Sequence, residues 1–385
     1  MGYKSFIPYG RQWIDQGDIE AVVSVLKSDF LTQGPKIEEF ENVICRYTGA
    51  KYAVAVSSGT AALHIAVLAL NTKNGEGITS PNTFVASANC LLYTGLTPRF
   101  ADIDKKTYCI DAKEIPKKIT SKTRIFIPVH FAGQVADMEA IYQIAKKKKI
   151  FVIEDASHAL GSKYEDESRV GNCKFSDMTI FSFHPVKTIT TGEGGVITTN
   201  SKNLYEKLLM LRTHGITKDP KYLTQNSGFW YYEMQELGFN YRMTDLQAAL
   251  GICQLEKLDK FIQRRKEIVK QYNQAFKDIP GTTIPFEKIK NSSAFHLYVL
   301  QIDFEKIGKT RSQVMDELKA KGIGTQVHYI PVHTQPYYKK NFGYKKGDFP
   351  VSEKYYEQAL SIPLYPKMSD GDIKYIIKTL LKIIL

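Results

Sequence analysis

The stretch "FSFHPVKTITTGEGGVITTN" (Phe181–Asn200) sets one lysine, Lys187, in a bend between two β-type runs. "MTIFSF" before it and "GGVITT" after it are short and rich in apolar and β-branched residues, as buried strands are. "GEGG" lets the backbone turn tightly or lie close against something bound. Most lysines are solvated surface charges, and this chain is rich in them. A lysine in a mostly buried bend differs, because lost hydration favours its neutral amine. Such an amine can attack a carbonyl and form a Schiff base.

Outward from this bend, strands and helices alternate. "YAVAV" (Tyr52–Val56) reads as a buried strand running into a helix, "SSGTAALHIAVLAL". "RIFIPV" and "IFVIED" are further strands, separated by the helical "MEAIYQIAKKKK". This alternation predicts an α/β domain with a mostly parallel sheet, extending to about residue 200. Ile19, Val22, Val23 and Leu26 fall at helical spacing, residues 201–213 are helical, and one long helical pattern runs from Thr244 to about Phe276. After Ile279 the pattern changes. "HLYVLQI" is a strand, "RSQVMDELKAKG" a helix closed by Gly322, "TQVHYI" a strand, and "DGDIKYIIKTLLKIIL" an amphipathic helix. The expected division is a large domain over residues 1–279, with an N-terminal arm and the long helix at its end, and a small α+β domain over 280–385.

The 385 residues are 43% hydrophobic, enough for a sizeable core. Lysine and arginine number 52 against 40 acidic residues, a net charge of +12. The basic residues are scattered, and their densest run, Lys146–Lys149, reads as the solvated end of a helix. No nucleic-acid-binding motif accompanies the charge, so no nucleic-acid partner is expected. Cys45, Cys90, Cys109, Cys173 and Cys253 are odd in number and widely spaced, with no C-x-x-C pair. Reduced thiols in a cytoplasmic protein are expected. "MGYKSFIPYGRQWID" has no signal-peptide core, no apolar run is long enough to span a membrane, and the histidines and cysteines show no metal-ligand spacing.

Asp155 ends the strand in "IFVIEDASHALGS", where ligands of open α/β sheets sit. It could pair with a ligand cation, such as the ring nitrogen of pyridoxal phosphate, or simply cap a helix over "ASHALG". Ser57, Ser58, Gly59 and Thr60 lie between a strand and a helix. Free amides make such a turn an anion site, though an ordinary capped turn reads the same. Phe84 in "SPNTFVASAN" could stack on a planar ring or belong to the core.

Taken together these residues give a specific pattern. "LTQGPKIEEFE", "SSGTAALHIA", "EDASHALGS", "FSFHPVKTITTGEGG", "GFNYRMTDLQAALG" and "VHYIPVHTQPYY" resemble, in order and over nearly the whole chain, the DegT/DnrJ/EryC1/StrS sugar aminotransferases. The resemblance implies a fold-type I enzyme using pyridoxal 5′-phosphate. It implies that Lys187 attaches the cofactor, Asp155 pairs with its ring nitrogen and Phe84 stacks on the ring. Gly59, Thr60 and Ser182 would bind the phosphate, joined by Asn240 of a second subunit in a homodimer with composite sites. His158, beside the cofactor, with His184 and Glu193, is similar to the branch that aminates C4 of UDP-linked hexuloses. Thr32 and Gln33 would lie near the entrance, and Arg242, His328 and Tyr329 would contact the sugar; His328 could equally be a core histidine. "FLTQGPKIEEFE", "HYIPVHTQPYY" and "KKGDFPVSEKYYEQALSIPLYP" are similar to the C4 aminotransferases of pseudaminic acid synthesis. That likeness implies a UDP-4-keto sugar and L-glutamate as substrates. The alternatives are amination of another nucleotide-linked keto sugar, the family's dehydratase offshoot, and a non-catalytic protein of the same fold. The offshoot carries histidine in place of the lysine, so Lys187 argues against it.

Overall fold

The computed structural model describes residues 6–225, 227–289 and 292–385. The first five residues of the stretch read above for a signal peptide lie outside this range.

Seven strands form the large sheet: β1 (Tyr52–Val56), β2 (Glu76–Thr79), β3 (Thr97–Phe100), β4 (Thr123–Ile127), β5 (Phe151–Asp155), β6 (Met178–Ser182) and β7 (Gly195–Thr199). Their order is β1-β7-β6-β5-β4-β2-β3. Only β7 runs antiparallel to its neighbours, so the sheet is mostly parallel, as expected. The helices on it are α1 (Gln16–Leu26), α2 (Pro35–Thr48), α3 (Gly59–Ala69), α4 (Ala86–Tyr93), α5 (Met138–Lys148) and α6 (Lys202–Arg212).

Side chains alternate across the sheet, and both faces are buried. On β5, Val152 joins the cluster of Phe126, Ile141 and Ala145, while Ile153 joins the one formed by Ile127, Ile180, Leu63 and Leu91. α3 is apolar nearly all round and is correspondingly buried along almost its whole length. β1 is an edge strand whose free backbone groups would invite pairing. Glu41 accepts from the Ala55 N–H at 2.8 Å, and Arg212 donates to the Ala55 carbonyl at 2.9 Å.

A short hairpin follows, β8 (Ile216–Thr217) with β9 (Glu233–Met234). The long helical pattern is then divided at Lys257 into α7 (Asp245–Glu256) and α8 (Leu258–Phe276). α7 packs on α1 and α2, and Leu258, Phe261 and Ile262 at the start of α8 share its core; Ile268, Val269, Tyr272 and Phe276 farther along enter a second core.

That core encloses an antiparallel sheet, β10 (Thr282–Thr283), β11 (Tyr298–Ile302) and β12 (Ala359–Ile362). Around it lie α9 (Arg311–Ala320), α11 (Pro350–Gln358) and α12 (Asp370–Ile384), while α10 (Pro336–Phe342) packs through Tyr338 on Ala88 of α4 and Phe100 of β3. α12 buries Ile373, Ile376, Leu380 and Ile383, one stripe of an amphipathic helix. "TQVHYI", expected as a strand, is not one. It makes a single bridge, Gln326 to Ser361, and then leaves the sheet. His328 Nδ1 still meets Ser361 Oγ of β12 at 2.8 Å, while the Tyr329 hydroxyl meets His158 at 3.1 Å.

Candidate active site

A cavity of about 610 Å³ opens beyond the carboxyl ends of β5 and β6. That volume suits a small-molecule site. Ser58, Gly59, Thr60, Phe84, Asp155, His158, Ser182, His184, Lys187, Glu193, His328 and Tyr329 all line it. The strand-end loops of one α/β domain thus bring together residues more than a hundred positions apart.

The Lys187 backbone N–H donates to the His184 carbonyl at 2.9 Å, which fixes the bend. Its ammonium makes no side-chain hydrogen bond or ion pair among the described residues. Burial lowers its pKa from 10.5 to about 8, and the nearby Asp155 charge only partly offsets that. Asp155 is 5% exposed at the end of β5. One oxygen accepts from Ser87 Oγ at 2.6 Å and the other from the Ser157 N–H at 3.1 Å. Residues after Asp155 form turns, not an α-helix, so the carboxylate closes an Asx-type turn and does not cap a helix.

At the start of α3, Ser58 Oγ accepts from the Ala61 N–H at 3.1 Å. The earlier amides of this first turn have no intrahelical acceptors and face an anion readily. A Cβ at Gly59 would come within 2.8 Å of Ser182 Cβ, so only glycine lets helix and strand meet there. Phe84 is 56% exposed at the rim, which excludes the core reading, and its ring lies 6.0 Å from that of Tyr329.

His158 is held at both nitrogens. The Ala132 N–H donates to Nδ1 at 3.2 Å, which leaves the proton on Nε2 to donate to the Tyr329 hydroxyl at 3.1 Å. Burial first, then the Lys187 and His328 charges, hold its pKa well below the usual histidine range. His328 is buried and falls to about 3 for the same first cause, with Lys187 adding to it. Its backbone carbonyl accepts from the Tyr355 hydroxyl at 2.7 Å. His328 therefore combines the two readings: it is hydrogen-bonded inside the fold and also lines the cavity.

Four of the residues singled out in the sequence lie elsewhere. Thr32, Gln33, Asn240 and Arg242 do not line this cavity. They form a strip beyond the β1 edge. Arg242 bridges Val56, Thr32 bridges Thr244, Asn240 bridges Thr213, and Gln33 Nε2 donates to the Met243 carbonyl at 3.2 Å. Asn240, Thr32 and Gln33 are exposed there.

The sequence reading missed Tyr9, Ser87, His296, Gln326 and Gln335. Ser87, buried in the first turn of α4, carries no signal in the sequence that separates it from an ordinary helix-start serine. His296 stood inside a stretch read only as a strand. Its ring lies 4.4 Å from that of His158, and its buried Nδ1 has no partner among the described residues. Among the described residues, Asp15, Asp18 and Cys253 form the one group spaced for a metal, away from the cavity, and Lys257 bonds to both carboxylates. No helix of the described residues is long and apolar enough to cross a membrane.

An anion-binding helix start, a buried carboxylate, a desolvated lysine and an exposed aromatic around one cavity fit a phosphorylated aromatic aldehyde. The model of the DegT/DnrJ/EryC1/StrS aminotransferase family matches residues 12–381, and the chain belongs to that family. It is a sugar aminotransferase of fold type I that uses pyridoxal 5′-phosphate. It is 45% identical over 381 residues to the spore coat polysaccharide biosynthesis protein SpsC of Bacillus subtilis, covering 98% of this chain and 97% of that one. Helicobacter pylori PseC, an aminotransferase involved in the biosynthesis of pseudoaminic acid, superimposes with a TM-score of 0.91 at 32% identity, covering 99% of both chains. The putative sugar aminotransferase Spr1654 of Streptococcus pneumoniae, solved in its PLP form, gives 0.89 at 31%, covering 98% of both.

Proposed function

We propose that this enzyme transfers the amino group of L-glutamate to C4 of a UDP-linked 4-keto-6-deoxy-N-acetylhexosamine. The product would be UDP-4-amino-4,6-dideoxy-N-acetyl-β-L-altrosamine, for pseudaminic acid synthesis. The observation that carries the reaction type is the desolvated Lys187 amine sharing a cavity with Asp155. The substrate rests on the motif likeness of residues 30–41, 328–338 and 345–366, and on the likeness to the H. pylori protein.

Lys187 would hold the cofactor covalently and Asp155 its ring nitrogen. Gly59, Thr60 and Ser182 would hold its phosphate and Phe84 would cover its ring. Pyridoxal phosphate, when bound, supplies an electron sink for the carbon from which a proton is removed. With a pKa of about 8, roughly a tenth of Lys187 is neutral at pH 7, so Nζ can take and return that proton. Asp155, fixed by Ser87 and Ser157, favours a protonated partner opposite it. His158 and His328 stay neutral at physiological pH and act as fixed hydrogen-bonding groups. Donor and acceptor use the same cavity in turn, which gives ping-pong kinetics.

We also propose a two-fold dimer in which Asn240 of the partner subunit completes the phosphate site and the Thr32–Arg242 strip borders the partner's cavity. Its support is the position of that strip, exposed and outside the chain's own cavity. Residues 1–279 and 280–385 would then act as the large and small domains; the separate antiparallel sheet β10-β11-β12 after residue 279 supports this division.

Incubation with glutamate and the 4-keto UDP-sugar, followed by NMR of the amino sugar, tests the proposal. An equatorial or axial amine at another carbon, or no product, would overturn the substrate. The 45% identity to SpsC favours a second reading, amination of another nucleotide-linked keto sugar for a surface polysaccharide. Comparing kcat/KM across several keto sugars separates the two.

A further inference from the structure

Directly behind Asp155, on the opposite face of β5, lies a carboxylate that the reaction does not touch. Glu154 is completely buried. Four groups donate to it: His130 Nε2 at 2.8 Å, the Tyr164 hydroxyl at 2.6 Å, Thr179 Oγ1 at 3.1 Å, and Ser176 Oγ. These donors, His130 foremost, outweigh burial and hold its carboxyl below the usual range. A buried charge is costly, and the cost is tolerated only where every lone pair is satisfied.

His130 is also completely buried. The Ala136 N–H donates to its Nδ1 at 3.1 Å, so the proton sits on Nε2 and points at Glu154. From His130 the chain enters a tight loop that reaches the cavity. The His130 N–H donates to the Asp155 carbonyl at 3.0 Å. Ala132 takes a left-handed conformation (φ 56°) that turns its N–H onto His158 Nδ1. Gly133 has φ 99°, and a Cβ there would lie 2.8 Å from the Phe295 nitrogen. The Phe131 ring contacts those of His158 and Tyr329 edge-on. One rigid loop thus joins the buried pair to three walls of the cavity.

We propose that the Glu154–His130 pair is a positioning device for the active site. It anchors the 130–133 loop so that Ala132 fixes His158 as the Nε2–H tautomer. His158 then donates to the Tyr329 oxygen, and the Tyr329 proton is left to point into the cavity toward the ligand. This rests on the cavity being the active site, but the orientation can be read without turnover.

The test uses ¹⁵N-histidine NMR of the cofactor-free protein, with the His158 signals assigned by loss in His158→Gln. The wild type should show a lone pair on Nδ1 and a proton on Nε2 from pH 6 to 8. A His158 protonated on Nδ1, or a mixture of tautomers, overturns the proposal without any variant. Glu154→Leu and His130→Leu should give mixed His158 tautomers. In the cofactor-loaded enzyme, kcat should fall roughly 10- to 100-fold, with the glutamate KM changed far less, as expected of a misplaced group. His130→Gln can accept from Ala136 and donate to Glu154, and Glu154→Gln can still accept from His130. Both should restore the single tautomer and most of kcat. If a folded leucine variant keeps the wild-type His158 pattern, the pair is only structural. If the leucine variants do not fold, the glutamine variants decide. A mixed tautomer in both, despite retained fold, also overturns the proposal.

Discussion

The cavity and the strip beyond β1 carry equally clear sequence motifs but differ in how their side chains are used. In the cavity, Asp155 is bonded to Ser87 and Ser157, His158 to Ala132 and Tyr329, and burial lowers the pKa of Lys187. In the strip the backbone is equally well held. The Gly34 and Lys36 N–H groups donate to the buried Asp245 carboxylate at 2.9 and 3.3 Å, and Thr32 bridges Thr244. Its functional side chains, however, point to no pocket of their own chain. A well-held backbone with Thr32, Gln33 and Asn240 exposed on it suits a surface completed by a second subunit, as proposed above. In the proposed dimer, the strip would supply Asn240 to the phosphate site of the neighbouring subunit, while the other cavity residues come from one chain.

The largest effect expected on the cavity side is that of Lys187→Ala. It removes both the covalent attachment and the proton carrier, so turnover should fall roughly 1,000-fold or more. Steady-state turnover within tenfold of wild type would remove Lys187 from the reaction. Asp155→Asn keeps acceptors for Ser87 and Ser157 but supplies no charge. Activity should drop about 100-fold or more with the thermal midpoint little changed. Near-normal activity would leave Asp155 as a turn residue only.

The comparison itself is broken or sharpened by subunit exchange. One parent carries Lys187→Ala, the other Asn240→Ala, each checked alone at limiting cofactor. If the strip serves the neighbour, a mixed dimer has one doubly damaged site and one intact site. A randomised equimolar mixture should then recover about a quarter of wild-type activity. Mixed dimers seen by native mass spectrometry, with activity no higher than the parents' average, would place Asn240 in its own subunit's chemistry or in none.

The smallest effect is one of pH. The Lys187 ammonium has its pKa lowered to about 8, so it loses its proton as pH rises through that value. The rate at which added pyridoxal phosphate is taken up by cofactor-free enzyme should rise about tenfold per unit below pH 8 and flatten above it. Absorbance-detected stopped flow gives this profile. A rise continuing to pH 10 would mean that Lys187 is not desolvated. His158 and His328 should add no inflection between pH 5 and 8, because burial keeps them neutral there.

Much of this was already written in the sequence. Local pattern determined the alternating strands and helices, because period-2 and period-3.6 burial are properties of neighbouring residues. It also determined Lys187 in its bend, Asp155 at a strand end and the glycine at the start of α3. Tertiary structure alone decided three things. It divided the Thr244–Phe276 pattern at Lys257, and beyond Ile262 it carried the second helix into a second core. It left "TQVHYI" with a single bridge to β12, His328 bonding Ser361 of that strand and Tyr329 reaching His158. And it set Glu154 and His130 behind Asp155, 24 positions apart in sequence yet 2.8 Å apart in space. No periodicity signals such a pair, since a buried hydrogen bond depends on where two distant strand ends meet and not on what surrounds either residue in the chain.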